Sequence, residues 1–317
     1  MTTPSVSIVI PCYNREGFVG QAIQSALDQG PDVEVIVIDD GSTDGSLDVI
    51  RSFGDRIVWR AGPNRGACAA RNTGLHLANA ERVCFLDSDD FYDPGFVSRM
   101  LQMSAADTID VALGQFRSEH SASHSSNSIL RPGMSRDQIF RAWSEVRATQ
   151  TGAILWRRDF VIHIGGWRES LLQYQDIEIG CRAMLLGARA QAVDAGFLVA
   201  RGPQAIRDRI SYTVSESTVQ SMLDAVRDLS VLAPKPNEFD QECIGRFAYA
   251  IARKAFKNDH RGLGLDALGL ARQLGFSGHC GTAVHVLGAT LIGLPLKDKL
   301  AARLRPSISL VRARSRA

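Results

Sequence analysis

Apolar residues follow two spacings along this chain, and the spacing switches at polar loops. Residues 6–10, 33–38 and 83–86 are apolar at nearly every position, the pattern of strands buried on both faces of a parallel sheet. After the first run, Phe18, Val19, Ala22, Ile23, Ala26 and Leu27 recur at helical spacing. That predicts a helix with one apolar face, capped by Asn14 and ended by Gly30-Pro31. Residues 46–53 predict a helix, 57–60 a strand, and 67–80 a helix opened by Asn64-Arg65-Gly66. A further helix begins at Asp93-Pro94, where proline is tolerated in the first turn; a strand follows at 109–116. This β-α-β-α-β order predicts an α/β fold with a doubly wound, mostly parallel sheet.

The second half is less regular. Residues 117–133 are rich in serine and carry His120 and His124. Two histidines four apart could ligate a metal from a helix, but the serines favour a loop. A helix is expected at 136–148, a strand at 151–156, a helix from Gln175 to about 186, and a last strand at 190–200. Beyond about residue 216 the pattern becomes amphipathic at 222–232 and 241–256, with a Leu/Ala/Gly helix at 262–274. The expected organisation is a first domain at 1–215, with halves at about 1–116 and 117–215, and a helical C-terminal region at 216–317.

Composition narrows the class only slightly. With 317 residues, 45% hydrophobic and 22% charged, the chain is ordinary for a globular protein. Six cysteines are scattered without CxxC or zinc spacing, which fits a reducing compartment. The N-terminus lacks the basic region of a signal peptide, and no apolar run reaches the roughly 20 residues of a spanning helix. Charge changes the picture more. Seven of the 36 Lys/Arg fall in residues 297–317 against one acid, Asp298, leaving the rest mildly acidic. A basic tail attracts anionic lipid or nucleic acid. The apolar stretch 281–296 before it reads either as a packed helix or as an interfacial one.

Candidate chemistry lies where the strands stop. Residues 83–86 run into Asp87-Ser88-Asp89-Asp90, and 33–38 into Asp39-Asp40-Gly41-Ser42-Thr43-Asp44. Ligands of open α/β sheets bind at such strand ends. Three carboxylates within four positions repel one another unless a cation compensates, so the cluster is either a solvated turn or a cation site.

Six blocks occur in order: residues 6–14; residues 37–44; Asn64-Arg65-Gly66 with Ala70-Arg71-Asn72-Thr73-Gly74; residues 85–90; Gly165-Gly166-Trp167-Arg168-Glu169-Ser170-Leu171; and Gln175-Asp176. Together they resemble the family 2 inverting glycosyltransferases over about residues 4–215. The resemblance implies a GT-A fold with helices on both faces of the sheet and a nucleotide-sugar donor, UDP- or dTDP-linked. The acceptor would be a glycan or lipid-linked glycan in surface polysaccharide synthesis. It implies Mg²⁺ or Mn²⁺ held by Asp89, with Asp87 toward the ribose or a metal-bound water. Pro11, Tyr13 and Asp39 would line the base pocket, Arg71 would lie near the nucleotide, and Asp176 would be the catalytic base, with Glu178 in reserve. The expected location is cytoplasmic, peripheral at the inner membrane face through 281–317, with no nucleic-acid partner.

Two departures stand out. The acid that usually precedes the base is Gln175, and an Arg-x-His motif is replaced by Arg207-Asp208-Arg209-Ile210-Ser211, where Arg209 is either a diphosphate contact or a surface arginine. Both leave room for a second reading, a nucleotide-sugar or glycan binder of the same fold without turnover. A nucleotidyltransferase would need a glycine-rich phosphate loop near the N-terminus, which Pro11-Cys12-Tyr13-Asn14-Arg15 does not supply.

Overall fold

The computed structural model describes residues 3–104, 108–119, 128–147, 150–201, 214–232, 237–279 and 293–297. The chain divides into two compact units, Met1–Tyr212 and Thr213–Ala317.

The first unit is built on an eight-stranded sheet in the order β3-β2-β1-β4-β7-β6-β8-β5. Its strands are β1 (Val6–Cys12), β2 (Val33–Asp39), β3 (Val58–Ala61), β4 (Arg82–Phe85), β5 (Phe91–Tyr92), β6 (Val111–Ser118), β7 (Ile154–Arg157) and β8 (Ala190–Ala200), and its helices are α1 (Val19–Leu27), α2 (Ser46–Arg51), α3 (Ala67–Leu77), α4 (Phe96–Met103), α5 (Arg136–Ser144), α6 (Arg158–His163) and α7 (Gln175–Leu185). Pairing is parallel from β3 through β2 and β1 to β4, and again between β6 and β8; β7 runs antiparallel to both its neighbours. The sheet is therefore mixed and mostly parallel, as expected. The 151–156 segment departs in detail: Thr151–Ala153 forms a 3-10 turn and only Ile154–Arg157 pairs.

Alternation along β1 fixes which helix covers which face. Ile8 and Ile10 pack with Val19, Ala22, Ile23 and Ala26 of α1 (Val19–Leu27). Val9 points the other way, against Gly74 of α3 (Ala67–Leu77), where a Cβ would collide with the valine side chain. A period of two thus sandwiches β1 between helices and explains its uninterrupted burial. The chain order carries β1 outward to β2 and β3, then back across to β4 on its other side. The C-terminal ends of β1 and β4 flank this switch point, where α/β sheets bind ligands.

Asn14 does not cap α1, whose first residue is Val19. It adopts a left-handed backbone, φ 50°, and its amide side chain accepts the Thr43 N–H at 2.8 Å while its own N–H donates to Ser42 Oγ at 3.0 Å. Helix α4 (Phe96–Met103) likewise begins two residues after Pro94, behind a left-handed Gly95.

The second unit contains α8 (Glu216–Leu232), α9 (Glu238–Lys257) and α10 (Arg261–Gln273). Each buries one apolar stripe; Phe247, Ala248, Ile251 and Ala252 form that of α9. Asn237 caps α9 through its side chain, accepting the Asp240 N–H at 2.8 Å. No helix among the described residues is long and apolar enough to cross a membrane. The His120/His124 pair, the Arg207–Ser211 motif and most of 281–317 lie outside the described residues.

Candidate active site

The two Asp-rich loops divide their labour. Asp39 ends β2 and is 2% exposed; its Oδ2 accepts the Ser42 N–H, while Oδ1 is a buried acceptor without a partner among the described residues. Leaving such an acceptor dry costs about 1–3 kcal/mol, so an N–H placed against it would be bound favourably. Asp40 is structural. Its two oxygens accept the Arg65 and Gly66 N–H groups, both at 2.8 Å, just ahead of α3. Ser42, Thr43 and Asp44 tie down the loop after β1. Besides the Asn14 bonds, Asp44 accepts from Glu16 N, and Ser46 Oγ accepts from Arg15 N at 2.7 Å. Pro11 is buried at the end of β1, and Tyr13, next but one, is 44% exposed.

Asp87, Asp89 and Asp90 follow β4, and each offers an oxygen within 4.8 Å of the others. Hard carboxylate oxygens so grouped suit Mg²⁺ or Mn²⁺, which take one or two such ligands and keep waters. The residues present fit a divalent cation. Asp90 also anchors the strand end by accepting the Arg201 N–H at 3.0 Å.

Arg71 joins this cluster to the first turn of the helix that carries Asp176. The guanidinium is buried, bonds Asp87 at 2.7 Å and donates to Gln175 Oε1 at 2.8 Å. It also lies over the Trp167 ring at 4.6 Å. A buried cation needs such partners to offset its desolvation. Trp167 is held in turn by Asn72, whose side chain accepts the Trp167 N–H and donates to its carbonyl, both at 2.8 Å. Gly166, at φ 66°, passes so close that a Cβ would sit 2.7 Å from Asn72 Oδ1. The Gly-Gly-Trp block thus places an aromatic floor under Arg71, a role the sequence reading did not assign. A tryptophan behind paired glycines was the available signal.

Asp176 lies in the first turn of α7 (Gln175–Leu185). Tyr174 before it takes a left-handed backbone, φ 59°, a strained geometry that clusters at functional sites. The Trp143 indole N–H donates to the Asp176 carbonyl at 3.0 Å and packs against Gly180, where any Cβ would collide with the ring. The Asp176 carboxyl keeps some solvent contact but is surrounded by protein on most sides. Desolvation first and the Asp87 charge second push its pKa up, Arg71 pulls it back, and the balance lies at about 6. Glu178 is not available as a second base. It is 2% exposed and both its oxygens are taken by Arg182, at 2.9 and 2.7 Å.

The structure thus gathers Arg71, Asp87 and Asp176 into one charged network beside Asp89. Pro11, Tyr13 and Asp39 sit at the ends of the adjacent strands. Residues 7–164 match the family model described as Glycosyl transferase family 2. The succinoglycan biosynthesis protein ExoU of Rhizobium meliloti is 29% identical over 320 residues, 95% of this chain and 90% of that protein. An uncharacterized glycosyltransferase of Haemophilus influenzae is 43% identical over 96 residues, 29% of this chain and 38% of that protein. For two further curated relatives the aligned stretch spans 36% and 17% of their length. Among solved structures, S. aureus TarS 1-349 in complex with UDP-GlcNAc superposes with a TM-score of 0.70 at 19% identity, covering 85% of this chain and 81% of that one. The shared architecture is the GT-A fold, and the chain belongs to glycosyltransferase family 2.

Proposed function

We propose that this protein is an inverting glycosyltransferase that moves a sugar from a UDP- or dTDP-linked donor to a hydroxyl of a glycan or lipid-linked acceptor. The observation that carries the reading is Asp176. A carboxyl poised at about 6 is a base ready at neutral pH, and it feels the charges of the residues that would hold the donor. ExoU, named for succinoglycan biosynthesis, and TarS, solved with UDP-GlcNAc, support surface-polysaccharide chemistry and a uridine nucleotide.

In this reading the base stacks near Tyr13 and Pro11 and donates an N–H to the unmet Asp39 oxygen. Asp87 and Arg71 face the ribose and diphosphate, with Asp89 holding Mg²⁺ or Mn²⁺. Bound there, the cation would neutralise the leaving diphosphate. Asp176 takes the proton of the acceptor hydroxyl as its oxygen attacks the anomeric carbon. The bond to the diphosphate breaks on the opposite face, which inverts the configuration. Trp143 and the Arg71–Gln175 bond keep that carboxyl aimed while it gains its proton.

The test is unfolding temperature against a panel of nucleotide sugars, with and without Mn²⁺. One uridine or thymidine sugar should raise the Tm by several degrees with Mn²⁺ and less without. No shift from any nucleotide sugar would refute the reading. The reading extends to peripheral contact with an anionic membrane through 281–317. A chain ending at residue 280 should then sediment less with phosphatidylserine vesicles than the full chain at low salt; equal sedimentation would remove the membrane role.

A further inference from the structure

We propose that Arg15 is a resident counter-ion of Asp89 that gives up the carboxylate to a divalent cation when a donor diphosphate arrives. Cation and donor would then bind as a coupled pair. The inference rests on the donor and metal reading above and adds a residue to which neither the sequence nor that reading gave a role.

The Arg15 Nε stands 4.0 Å from Asp89 Oδ2, with the Arg15 side chain 17% exposed. That is a charge contact too long for a hydrogen bond. The neighbouring carboxylate is held differently: Asp87 is bonded to Arg71 at 2.7 Å. Of these two ion pairs, Asp89–Arg15 is the one that can open without breaking a hydrogen bond.

The root of Arg15 does not move easily. Its N–H donates to Ser46 Oγ; Asn14 before it is fixed by Ser42 and Thr43, and Glu16 after it by Asp44 and Gly45. Nη1 donates to the Asn14 carbonyl at 2.8 Å. With Nη1 held on the Asn14 carbonyl and near that of Tyr13, the Nε and Nη2 side of the guanidinium is what can turn to another partner.

Position does the rest. β1 lies between β2, which ends at Asp39, and β4, which leads into Asp87 and Asp89. The loop that carries Arg15 leaves β1 at that end, so a ligand reaching from Asp39 to Asp89 crosses it. A guanidinium matches phosphate oxygens in a two-point geometry. A divalent cation and a guanidinium repel each other at one carboxylate. The arriving diphosphate therefore offers Arg15 a better partner at the moment it brings the cation one more set of oxygens. Without a donor, Arg15 keeps Asp89 compensated and the cation weakly held.

Mn²⁺ binding to the full chain, read from the free-ion EPR signal with and without UDP, tests this. In the wild type Mn²⁺ alone should bind weakly, and UDP should tighten it at least tenfold. Arg15→Met should bind Mn²⁺ alone about tenfold tighter and lose most of the UDP effect. Arg15→Lys, which keeps the charge, should resemble the wild type. Arg15→Gln, which keeps a donor for the Asn14 carbonyl, repeats the Met result if Met disturbs the loop. Equal Mn²⁺ affinity in wild type and both neutral variants would overturn the inference and leave the metal reading standing. No Mn²⁺ binding to any of these proteins, with or without UDP, would overturn both.

Discussion

Asp176→Asn is expected to lower turnover roughly 10²–10⁴-fold, the range a positioned general base contributes. Donor affinity should stay within a few-fold, because Asn keeps the shape and the backbone bond from Trp143 is untouched. The pH profile of the wild type should follow the same group. The ionised carboxylate is the active form, so rate falls as pH drops through about 6. A cation at Asp87 and Asp89 offsets one cause of the raised value, and saturating Mn²⁺ should move the midpoint lower. Stability should change in the opposite sense to activity. The folded carboxyl, at about 6, holds its proton more tightly than the unfolded one at 3.8. The stability this contributes is complete below about pH 4 and is lost as pH rises through about 6. At pH 8 the wild type carries an ionised group in a desolvated place, which costs on the order of 1–3 kcal/mol. Asn cannot ionise, so the variant should melt a few degrees higher at pH 8 and no higher at pH 4. A fully active variant would end the base assignment. Equal melting at pH 8 would mean that the carboxyl is well solvated.

The parts of this site visible in the sequence are those encoded locally. Continuous apolar runs marked β1, β2 and β4 because parallel strands are buried on both faces, and the acids after them marked the ligand-binding edge. Helix α1 was visible in its 3.6-residue spacing. Residues whose partners lie far along the chain were not. Asn14 resembles a helix cap, but the groups that claim it are Ser42 and Thr43, and the turn they enforce delays α1 to Val19. Arg71 resembles a residue on a helix surface until Gln175, 104 positions away, and Trp167 close over it. The Glu178 pairing was available in principle. Arg182 follows it by four residues, the spacing at which helical side chains meet. Gln175 shows what the missing acid leaves behind: a neutral acceptor orients Arg71 without competing with Asp87 for its charge.

Asp89→Ala should abolish the Mn²⁺ dependence of donor binding while the protein stays folded. Asp89 is a cleaner probe than Asp87. Removing Asp87 leaves the buried Arg71 guanidinium with a neutral acceptor and an aromatic face but no anion bonded to it, so an inactive Asp87 variant cannot separate metal loss from a disturbed site. Asp89 instead faces Arg15 at 4.0 Å and sits beside two other carboxylates, so deleting it relieves repulsion as well as removing an attraction. A melting temperature without metal near that of the wild type shows that the site has kept its fold and that the titration reads the metal alone. Calorimetric titration with UDP reads the function. In the wild type Mn²⁺ should strengthen binding by tenfold or more. In Asp89→Ala the affinities with and without Mn²⁺ should converge on the metal-free value, because the proposed nucleotide contacts of Asp39, Tyr13 and Arg71 are untouched. Convergence would leave Asp89 as the carboxylate through which the cation acts. A variant that keeps the full Mn²⁺ effect would move the cation elsewhere, to Asp87 or to the diphosphate alone, and Asp89 would then be a counter-charge for Arg15.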